Sequence, residues 1–343
     1  LSELGRVALG MTELVNAQHN LGVDLNGQLG GDFFSPISSS VIDDASNTGV
    51  ATVSLSIDNV SDLEASDYQL FFDGALWNLT RTSDGASSSG AGPFTLDGIT
   101  VSIAGAPAAG DSYLLRPVHG AAGGFGLQLN AADQFAAGVP VVSSLSLSNT
   151  GSAEITDVQV SSTTGLPLGG DITLTYNASI PGYDVVGGPG GTIAFNPATE
   201  SGGKSFTFAG SGGLSFTLSG IPNAGDVITL SANAGAPGDN RNALLLGSMQ
   251  SERLLAGGSV TFGEAYSGMI GGVGVATRQA QANLQAEDSL MNSAVAARER
   301  VSGVNLEQEA AELVRLQQAY QAAAQLVAIT DTLFQTLLGA TRR

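Results

Sequence analysis

The sequence predicts an α+β protein in which a discontinuous helical coiled-coil stalk, built from both chain ends, carries two inserted all-β domains. Three observations support this prediction. Both ends of the 343-residue chain have helical periodicity, the middle consists of short β-type runs, and one peptide motif occurs twice in that middle region. The predicted domains are an N-terminal helix with a linker (1–49), a first β domain (50–140), a second β domain (141–236) and C-terminal helices (237–343).

The first helix is predicted over residues 2–21, because its apolar residues recur at helical spacing. One face carries Leu4, Val7, Ala8, Met11, Leu14 and Val15. A Gly-rich stretch from Gly22 to Gly31 and a Ser-rich linker follow this helix. Since its apolar face has no local partner, we expect it to pack against a long helix at 266–301. The contacts would be made by Val7, Met11 and Leu14 on one side and Ala280, Leu284 and Met291 on the other.

Residues 50–236 consist of short runs rich in β-branched and aromatic residues, separated by turn dipeptides such as Asp73-Gly74 and Asp97-Gly98. The predicted strands are Ala51–Ile57, Tyr68–Phe72, Thr100–Ala104, Ser143–Ser148, Asp171–Asn177, Ser205–Ala209, Leu214–Ser219 and Val227–Ala232. Their spacing fits all-β modules better than alternating βαβ units. We therefore expect two β lobes without a long helix inside either.

An internal repeat supports the division into two β domains. The segment from Ile103 to Leu115 recurs from Leu218 to Leu230 and shares the pattern Gly-x-Pro-x-x-Gly-Asp. The coinciding positions are Gly105/Gly220, Pro107/Pro222, Ala109/Ala224, Gly110/Gly225 and Asp111/Asp226. A strand, a tight turn set by Pro and Gly, and a return strand would make this motif a β-hairpin used twice.

Three helices are predicted after residue 240. The first covers about Arg241–Leu255, the second is an Ala- and Gln-rich helix over about Tyr266–Val301, and the third is a tail helix over Leu306–Leu338. Asn305 is predicted as the N-cap of the tail helix, with Gln308 as its capping-box partner, and Gly339 as its stop. At about 1.5 Å per residue the tail helix would be roughly 50 Å long, which exceeds the needs of most globular domains.

The tail helix has an apolar stripe whose steps alternate between four and three residues, the heptad spacing of helices that face other helices. The predicted interface residues are Leu306, Ala310, Leu313, Gln317, Tyr320, Ala324, Val327, Asp331, Phe334 and Leu338. A second apolar row consists of Leu316, Ala323, Leu326, Ile329, Leu333 and Leu337. Gln317 and Asp331 are polar, and two interpretations stay open: they face solvent on the flank of the stripe, or they fix the register against a neighbouring helix. The pattern indicates an assembly helix.

Composition narrows the classes of partner. The chain has 31 acidic and 12 basic side chains and a net charge of −19, which argues against nucleic acid and anionic membrane as partners. No apolar run reaches the length of a membrane span. The absence of cysteine excludes disulfides and zinc–thiolate sites, and it fits both the cytosol and export in an unfolded form. Because the chain begins at Leu1 and not at Met, we expect it to be a piece of a longer protein.

No residue pattern predicts catalysis, and we expect no catalytic residue, no cofactor and no metal. The run Gly272-Val-Gly-Val-Ala276 lacks the third glycine of a dinucleotide fingerprint and follows no strand. His19 and His119 are the only histidines and have no partner His or Cys at a ligand spacing, so a surface or capping role is the expectation for each. The sequence therefore predicts a structural, non-enzymatic protein.

Three segments resemble a known family. Ser302–Leu326, with Ser-Gly-Val-Asn-Leu followed by Gln-Gln-Ala-Tyr-Gln-Ala, resembles the C-terminus of bacterial flagellar axial proteins, which include rod, hook and hook-associated families. Asn16–Gly22 and Gly238–Leu244 resemble segments of the hook-associated family at the junction of hook and filament. The N-terminal half of that family, including the helix that pairs with the tail, has no counterpart in this sequence.

The resemblance implies an extracellular structural component of the flagellum that joins hook to filament and leaves the cell by flagellar type III export. The implied partners are further copies of the chain in a ring, the hook protein, the next hook-associated protein, and an export chaperone for the C-terminal helix. One alternative is another axial component, such as a hook or distal rod protein. A second is a secreted β-sandwich adhesin or glycan-binding module with a helical oligomerisation stem.

Overall fold

A computed structural model describes residues 2–235, 237–303 and 305–341. The chain forms two compact units, Leu1–Ile270 and Gly271–Arg343. The first unit contains two β lobes and a helical base, which is formed by the helices at 2–20 and 241–248 and the start of the helix at 262–302. The second unit contains most of that long helix and the tail helix. The helices are α1 (Ser2–Asn20), α2 (Ala121–Gly124), α3 (Pro197–Glu200), α4 (Arg241–Ser248), α5 (Phe262–Ser302) and α6 (Leu306–Thr341).

The first lobe consists of two antiparallel sheets that enclose one core. Its strands are β1 (Ser40–Asp43), β2 (Thr52–Ile57), β3 (Tyr68–Phe72), β4 (Trp77–Arg81), β5 (Ser87–Gly90), β6 (Phe94–Leu96), β7 (Ile99–Ala104) and β8 (Ser112–Arg116). One sheet has the order β1-β8-β3-β4-β5 and the other β2-β7-β6. The alternating inward residues of both sheets, among them Tyr68, Leu79 and Val101, are fully buried in one hydrophobic cluster.

The second lobe has the same organisation. Its strands are β9 (Val141–Leu145), β10 (Glu154–Gln159), β11 (Ile172–Asn177), β12 (Gly182–Val186), β13 (Gly191–Ala194), β14 (Lys204–Phe208), β15 (Leu214–Ser219) and β16 (Val227–Ala232). The sheets have the orders β13-β12-β11-β16-β9 and β10-β15-β14. If the five-stranded sheet of each lobe is read from its first strand in the sequence, the order β1-β8-β3-β4-β5 matches the order β9-β16-β11-β12-β13. The two lobes therefore have the same topology.

The repeated motif is not a hairpin, and this prediction was wrong. β7 pairs within the three-stranded sheet and β8 within the five-stranded sheet, and β15 and β16 are separated in the same way. The motif is therefore a crossover from one sheet to the other. At Gly105 and Gly220 φ is +86° and +81°, and a Cβ atom would meet the carbonyl oxygens of Val50 and Ser152 at 2.5 and 2.2 Å. Pro and Gly predict a change of chain direction, but they do not predict which sheet the next strand joins.

The strand predictions succeeded where apolar residues alternate over five or six positions. β3, β15 and β16 have the predicted bounds, and within the described part of residues 51–235 the longest helix has four residues. The list of predicted strands missed β1, β4, β5, β6, β10, β12 and β13, and β8 was expected only as the return strand of the predicted hairpin. Most of these are short or edge strands, and β5 consists only of Ser and Gly. Their positions follow from pairing with longer strands, which a local pattern does not contain.

Three helix boundaries differ clearly from prediction: the start of α5, the end of α6 and the end of α4. α5 begins at Phe262, four residues earlier than expected, because Thr261 and Glu264 form a reciprocal capping box: each side chain accepts the backbone N–H of the other, at 3.1 and 2.9 Å. α6 does not stop at Gly339 but continues to Thr341, whose hydroxyl bonds to the carbonyl of Leu337. A single glycine lowers helix propensity by only about 1 kcal/mol and does not end a helix by itself.

α4 ends at Ser248 and not near Leu255. Leu255 instead lies in a tight turn, where its backbone exchanges two hydrogen bonds with Val260 at 3.0 and 3.1 Å. The reversal between them uses positive φ at Ala256, Gly257 and Gly258. This turn places Phe262 against α1 and completes the helical base.

α1 packs against the first turn of α5. Val7 is in one buried cluster with Leu255 and Phe262, and Met11 and Leu14 pack against that cluster. Leu284 and Met291, the partners expected further along α5, are exposed. The discontinuous coiled-coil stalk therefore stays a prediction.

Candidate assembly interface

Every residue of α6 from Leu306 to Thr341 is exposed, including the large apolar ones. At 100° per residue, the ten predicted interface positions lie within about 120° of one face of the helix. They are Leu306, Ala310, Leu313, Gln317, Tyr320, Ala324, Val327, Asp331, Phe334 and Leu338. Leu313 and Phe334 are 60% and 61% exposed. This set is called the α6 stripe below.

Among the described residues of α6, Glu307, Glu312 and Arg315 lie outside the arc of the α6 stripe, whereas Glu309 and Asp331 lie within it. Glu312 and Arg315 form an ion pair at 3.9 Å. At the N-terminus Asn305 is the N-cap, as predicted, because its side-chain oxygen accepts the backbone N–H groups of Glu307 and Gln308 at 3.1 and 3.4 Å. The cap fixes where the helix begins.

Two polar residues interrupt the α6 stripe. Gln317 lies between Leu313 and Tyr320, and Asp331 lies between Val327 and Phe334. Both are exposed along with their apolar neighbours. Their exposure in the single chain is compatible with both interpretations of them, so the register role stays a prediction.

The part of α5 in the second unit is also exposed, from Gly271 to Ala294. At 100° per residue, Val273, Leu284 and Met291 fall within about 20° of one line along the helix. Each of them is more than half exposed. The second unit therefore presents two long helices, each with an uncovered apolar face.

A glycine-rich segment lies in the same helix. Gly268, Gly271, Gly272 and Gly274 are all helical, and a Cβ atom added to any of them would meet nothing within 4 Å. In this chain no close packing explains the absence of side chains there. Glycine lowers helix stability by about 1 kcal/mol relative to alanine, so this is a weak segment of α5.

In the helical base, His19 joins three parts of the chain. It is fully buried, its Nδ1 lies 2.7 Å from the carbonyl oxygen of Gly31, and its Nε2 accepts the backbone N–H of Ala136 at 2.9 Å. These partners require a neutral imidazole with its hydrogen on Nδ1. The rings of Phe33 and Phe135 lie within 5.4 and 5.7 Å of it. His19 is a core residue and not the surface or capping residue that the sequence analysis expected.

The segment after the second lobe is fixed by an acidic side chain. Asp239 accepts hydrogen bonds from the amide of Val139 and from the side chains of Asn233 and Arg241. Burial is the largest influence on this carboxyl and would raise its pKa, but the bonds to Arg241 and Val139 outweigh it and leave the pKa below its usual value. Asp239 thereby holds the start of α4 against the strand that enters the second lobe.

The described residues contain no group of three or more His, Asp or Glu side chains placed to hold a metal ion. Of the helices within 2–235, 237–303 and 305–341, none combines the length and apolar character that crossing a bilayer requires.

Three family profiles match parts of this chain. The profile described as flagellar hook-associated protein FlgK helical domain matches residues 1–34, and the D2-like domain profile of flagellar hook-associated protein 1 matches residues 42–117. The C-terminal profile of flagellar basal body rod FlgEFG proteins matches residues 299–340. The first two coincide with α1 and the first lobe, and the third with α6.

Individual relatives agree with these profiles. The chain is 26% identical to flagellar hook-associated protein 1 of Salmonella typhimurium over 98% of its own length and 46% of the relative's. Identity to the Escherichia coli protein of the same name is 24%, over 98% of this chain and 45% of the relative. The chain thus spans about half the length of the curated relatives that it matches.

One solved structure has the same fold. The flagellar hook junction protein FlgK from Burkholderia pseudomallei superposes with a TM-score of 0.77 and 30% sequence identity, covering 88% of this chain and 60% of that one. Two of the three profiles, the alignment of nearly the whole of this chain with parts of the curated relatives, and a shared structure point to one family. The chain belongs to the flagellar hook-associated protein 1 family.

Proposed function

We propose that this chain is a structural, non-enzymatic component of the bacterial flagellum that joins hook to filament through helix-mediated axial assembly. The exposed α6 stripe carries this proposal, because a heptad-spaced apolar face of this length has no use in a protein that works alone. The match of residues 299–340 to the rod-protein C-terminal profile supports an axial role for the same helix.

Self-association in a ring is part of the proposal. The second apolar row of α6 lies on a different side of the helix from the α6 stripe, so one partner helix cannot cover both. The row consists of Leu316, Ala323, Leu326, Ile329, Leu333 and Leu337. Contacts with more than one neighbouring helix would bury both rows, as in the helical layers of oligomeric assemblies. We also propose that Gln317 and Asp331 fix the register of these contacts.

The proposed arrangement uses a stalk and two lobes. Helices from both chain ends would form the coiled-coil stalk, and the β domains at 50–140 and 141–236 would be its outward insertions between the helical segments 1–49 and 237–343. The contact between α1 and the start of α5 supports the stalk, because it joins helices from opposite ends of the chain.

The proposed partners are the hook protein, the next hook-associated protein of the axial structure, and an export chaperone that covers the C-terminal helix before assembly. The proposed location is extracellular, at the hook–filament junction, after flagellar type III export. The net charge of −19 supports the exclusion of nucleic acid and anionic membrane from the partners.

The alternative of a hook or distal rod protein rests on the tail alone, since its profile also describes rod proteins. The matches at residues 1–34 and 42–117 favour the junction role, because both profiles are specific to hook-associated protein 1.

The test is a pair of double variants of α6 in cells that lack the wild-type protein. Leu313→Asp with Phe334→Asp places two charges on the α6 stripe, and we expect loss of filament attachment and of motility. Gln318→Asp with Gln325→Asp adds the same charge between the two apolar rows and should leave motility within about twofold of wild type. Normal incorporation of the first variant, with both variants equally secreted, would contradict the assembly role of α6.

A further inference from the structure

The α6 stripe contains a repeat of fourteen residues, which is two heptads. One of its two heptad positions is filled by large apolar residues, and the other by Ala310, Gln317, Ala324, Asp331 and Leu338. At this second position Ala310 and Gln317 are followed, fourteen residues later, by Ala324 and Asp331. Tyr320 and Phe334, the two aromatic residues of the stripe, have the same separation. A pattern with this repeat can pair with a shifted copy of itself.

Two α6 helices that lie parallel and level with each other would form a poor pair. Each residue of the stripe would then face its own equivalent, so the carboxylate of Asp331 would face a second Asp331 between apolar layers. Glu307, Glu309 and Glu312 would also lie close to the same residues of the neighbour. Like charges that meet at a protein contact destabilise it. A level pair is therefore disfavoured.

A shift of one helix by two heptads removes these conflicts. In such a parallel pair Asp331 of one copy faces Gln317 of the next, and the side-chain amide can donate to the carboxylate. The neighbouring layers pair similar side chains: Ala324 with Ala310, Val327 with Leu313, and Phe334 with Tyr320. At about 1.5 Å per residue the shift is about 21 Å along the helix.

The distribution of charge along α6 agrees with this shift. Of the five charged side chains between residues 305 and 341, four precede residue 316, and the fifth is Asp331. The shift places the acidic first part of one helix beside the last part of its neighbour. Two copies then meet without bringing their glutamates together.

Other alignments of two stripes leave Asp331 without a polar partner. A parallel shift of one heptad places it against Ala324, and a shift of three heptads places it against Ala310. If one helix is reversed, the steps of four and three residues run in the opposite order. Gln317 and Asp331 share a heptad position, so they do not fall in one layer of a reversed pair. Because the stripe complements itself in one parallel alignment, its pattern selects a second copy of this chain as the partner.

We propose that neighbouring copies of this chain pack their α6 helices parallel to each other with a shift of two heptads, and that Gln317 of one copy bonds to Asp331 of the next. This inference rests on the self-association proposed above and names its register. The contact is heterologous, since the two copies use different parts of the same stripe. Heterologous contacts give every copy the same direction, as a structure with two different ends requires.

Mixed disulfides test the shift, because the sequence has no cysteine. Cells that lack the wild-type protein would produce two differently tagged full-length chains, one with Ala310→Cys and one with Ala324→Cys. In isolated hook–filament structures, mild oxidation should link these two chains at least about tenfold more than it links either variant to itself. Gln318→Cys with Thr332→Cys is the control pair, because it has the same separation but lies outside the stripe, and it should give few links.

Two results of this experiment would overturn the shift. One is preferential linking of Ala310→Cys chains to each other, which a level pair would give. The other is an absence of links in structures that contain both variants.

An exchange of the two polar residues tests the bond. Gln317→Asp would bring two carboxylates together, and the fraction of cells with attached filaments should fall at least about tenfold. Gln317→Asp with Asp331→Gln again places a carboxylate opposite a carboxamide, and it should restore attachment to within about twofold of wild type. Gln318→Asp, the control, adds the same charge outside the stripe and should leave attachment unchanged. A neutral effect of Gln317→Asp, or an exchange variant that does not recover, would contradict the pairing.

The proposed function and this register fail in different ways. If Leu313→Asp with Phe334→Asp is incorporated normally, the assembly role of α6 is wrong. If that variant is secreted but not incorporated, and the Ala310→Cys and Ala324→Cys chains do not link, the assembly role stands and only the shift is wrong.

Discussion

Asp111 and Asp226 have the same position and the same partners in the two lobes. Each carboxylate accepts three backbone N–H groups, one from its own crossover and two from the loop that joins the first two strands of the lobe. For Asp111 the donors are Thr48, Gly49 and Ala108, at 3.0, 3.2 and 2.8 Å. For Asp226 they are Thr150, Gly151 and Asn223, at 2.9, 2.9 and 2.8 Å. Both carboxylates are almost fully buried.

An asparagine completes each set. The side-chain amide of Asn47 donates to the carbonyl of Ser112 and accepts the backbone N–H of the same residue, and the side chain of Asn149 does the same with Val227. The sequence Ser-Asn-Thr-Gly therefore precedes the second strand of each lobe for the same reason that Gly-Asp ends each crossover. We call each Asn-Thr-Gly and Asp set a crossover clamp, because it binds two of the connections between the sheets, the first and the last of the lobe, to each other.

The first prediction concerns the clamp of the second lobe. Asp226→Ala should lower the free energy of unfolding of that lobe by roughly 2–4 kcal/mol, because it removes the acceptor of three amides in a buried site. Hydrogen exchange of β9, β10 and β16 should become faster, whereas that of the first lobe should not change. Unchanged exchange in the second lobe would contradict the clamp.

The first lobe provides a matched control variant, Asp111→Ala, and a fluorescence signal of its own. Trp77, the only tryptophan, is in the core of the first lobe between Phe72 and Tyr113. Its fluorescence should report unfolding of that lobe, so Asp111→Ala should shift the fluorescence transition and Asp226→Ala should leave it in place. A shift by both variants would show that the lobes unfold together.

The second prediction is a loss of stability in acid. The amide of Ala108 is the largest influence on Asp111 and lowers its pKa. Burial is the largest influence on Asp226 and would raise its pKa, but its three amide donors outweigh burial and leave it lowered. A carboxyl whose folded pKa lies below its unfolded value of about 3.9 stabilises the protein above that value, and this contribution disappears as the pH falls through the folded pKa.

Thermal melts across the acid range should measure this effect. The melting temperature should be nearly constant above about pH 5 and should fall steeply below about pH 4. The variant Asp111→Asn with Asp226→Asn should be less stable at neutral pH and should lose less stability on acidification than the wild type. An equally steep acid slope in this variant would assign the effect to other carboxyl groups.

The clamps show what the sequence could and could not predict. The Gly-x-Pro-x-x-Gly-Asp repeat predicted two similar lobes, because a repeated sequence motif indicates a repeated substructure. It did not predict a crossover, since the direction in which β8 leaves Gly105 depends on strands far away in sequence. Ser46-Asn47-Thr48-Gly49 also recurs in the second lobe. A search for that second repeat would have indicated that the two motifs work together.

The tail helix could be predicted from the sequence and the central residue of the helical base could not, for a related reason. A 3.5-residue period is a property of the sequence itself, so the α6 stripe and its N-cap Asn305 could be predicted. His19 could not, because its two partners, Gly31 and Ala136, are backbone groups from separate segments. A short polar stretch around a lone histidine contains no local sign that the side chain is buried.

The third prediction tests His19 as the centre of the helical base. His19→Phe preserves an aromatic ring but leaves the carbonyl of Gly31 and the amide of Ala136 without their partner. It should lower the free energy of unfolding by roughly 2–4 kcal/mol. His119→Phe is the control, because His119 is exposed. The urea midpoints of the two variants are measured by far-UV circular dichroism. Equal midpoints for His19→Phe and His119→Phe would contradict the central role of His19.

The last prediction concerns the weak segment of α5. Gly271→Ala and Gly272→Ala introduce methyl groups that meet nothing within 4 Å, so helix propensity alone should decide the result. The two changes together should stabilise the segment by about 1–2 kcal/mol and slow hydrogen exchange of the amides around them about tenfold. Ala276→Gly, in the same helix, should act in the opposite direction.

If the doubled alanine variant exchanges more slowly but still supports motility, the glycines are tolerated and not required. If motility falls while secretion is unchanged, the flagellum needs a pliable α5 at this point. Faster exchange in the alanine variant would contradict the prediction, because it would show that the backbone there is not held in a helix.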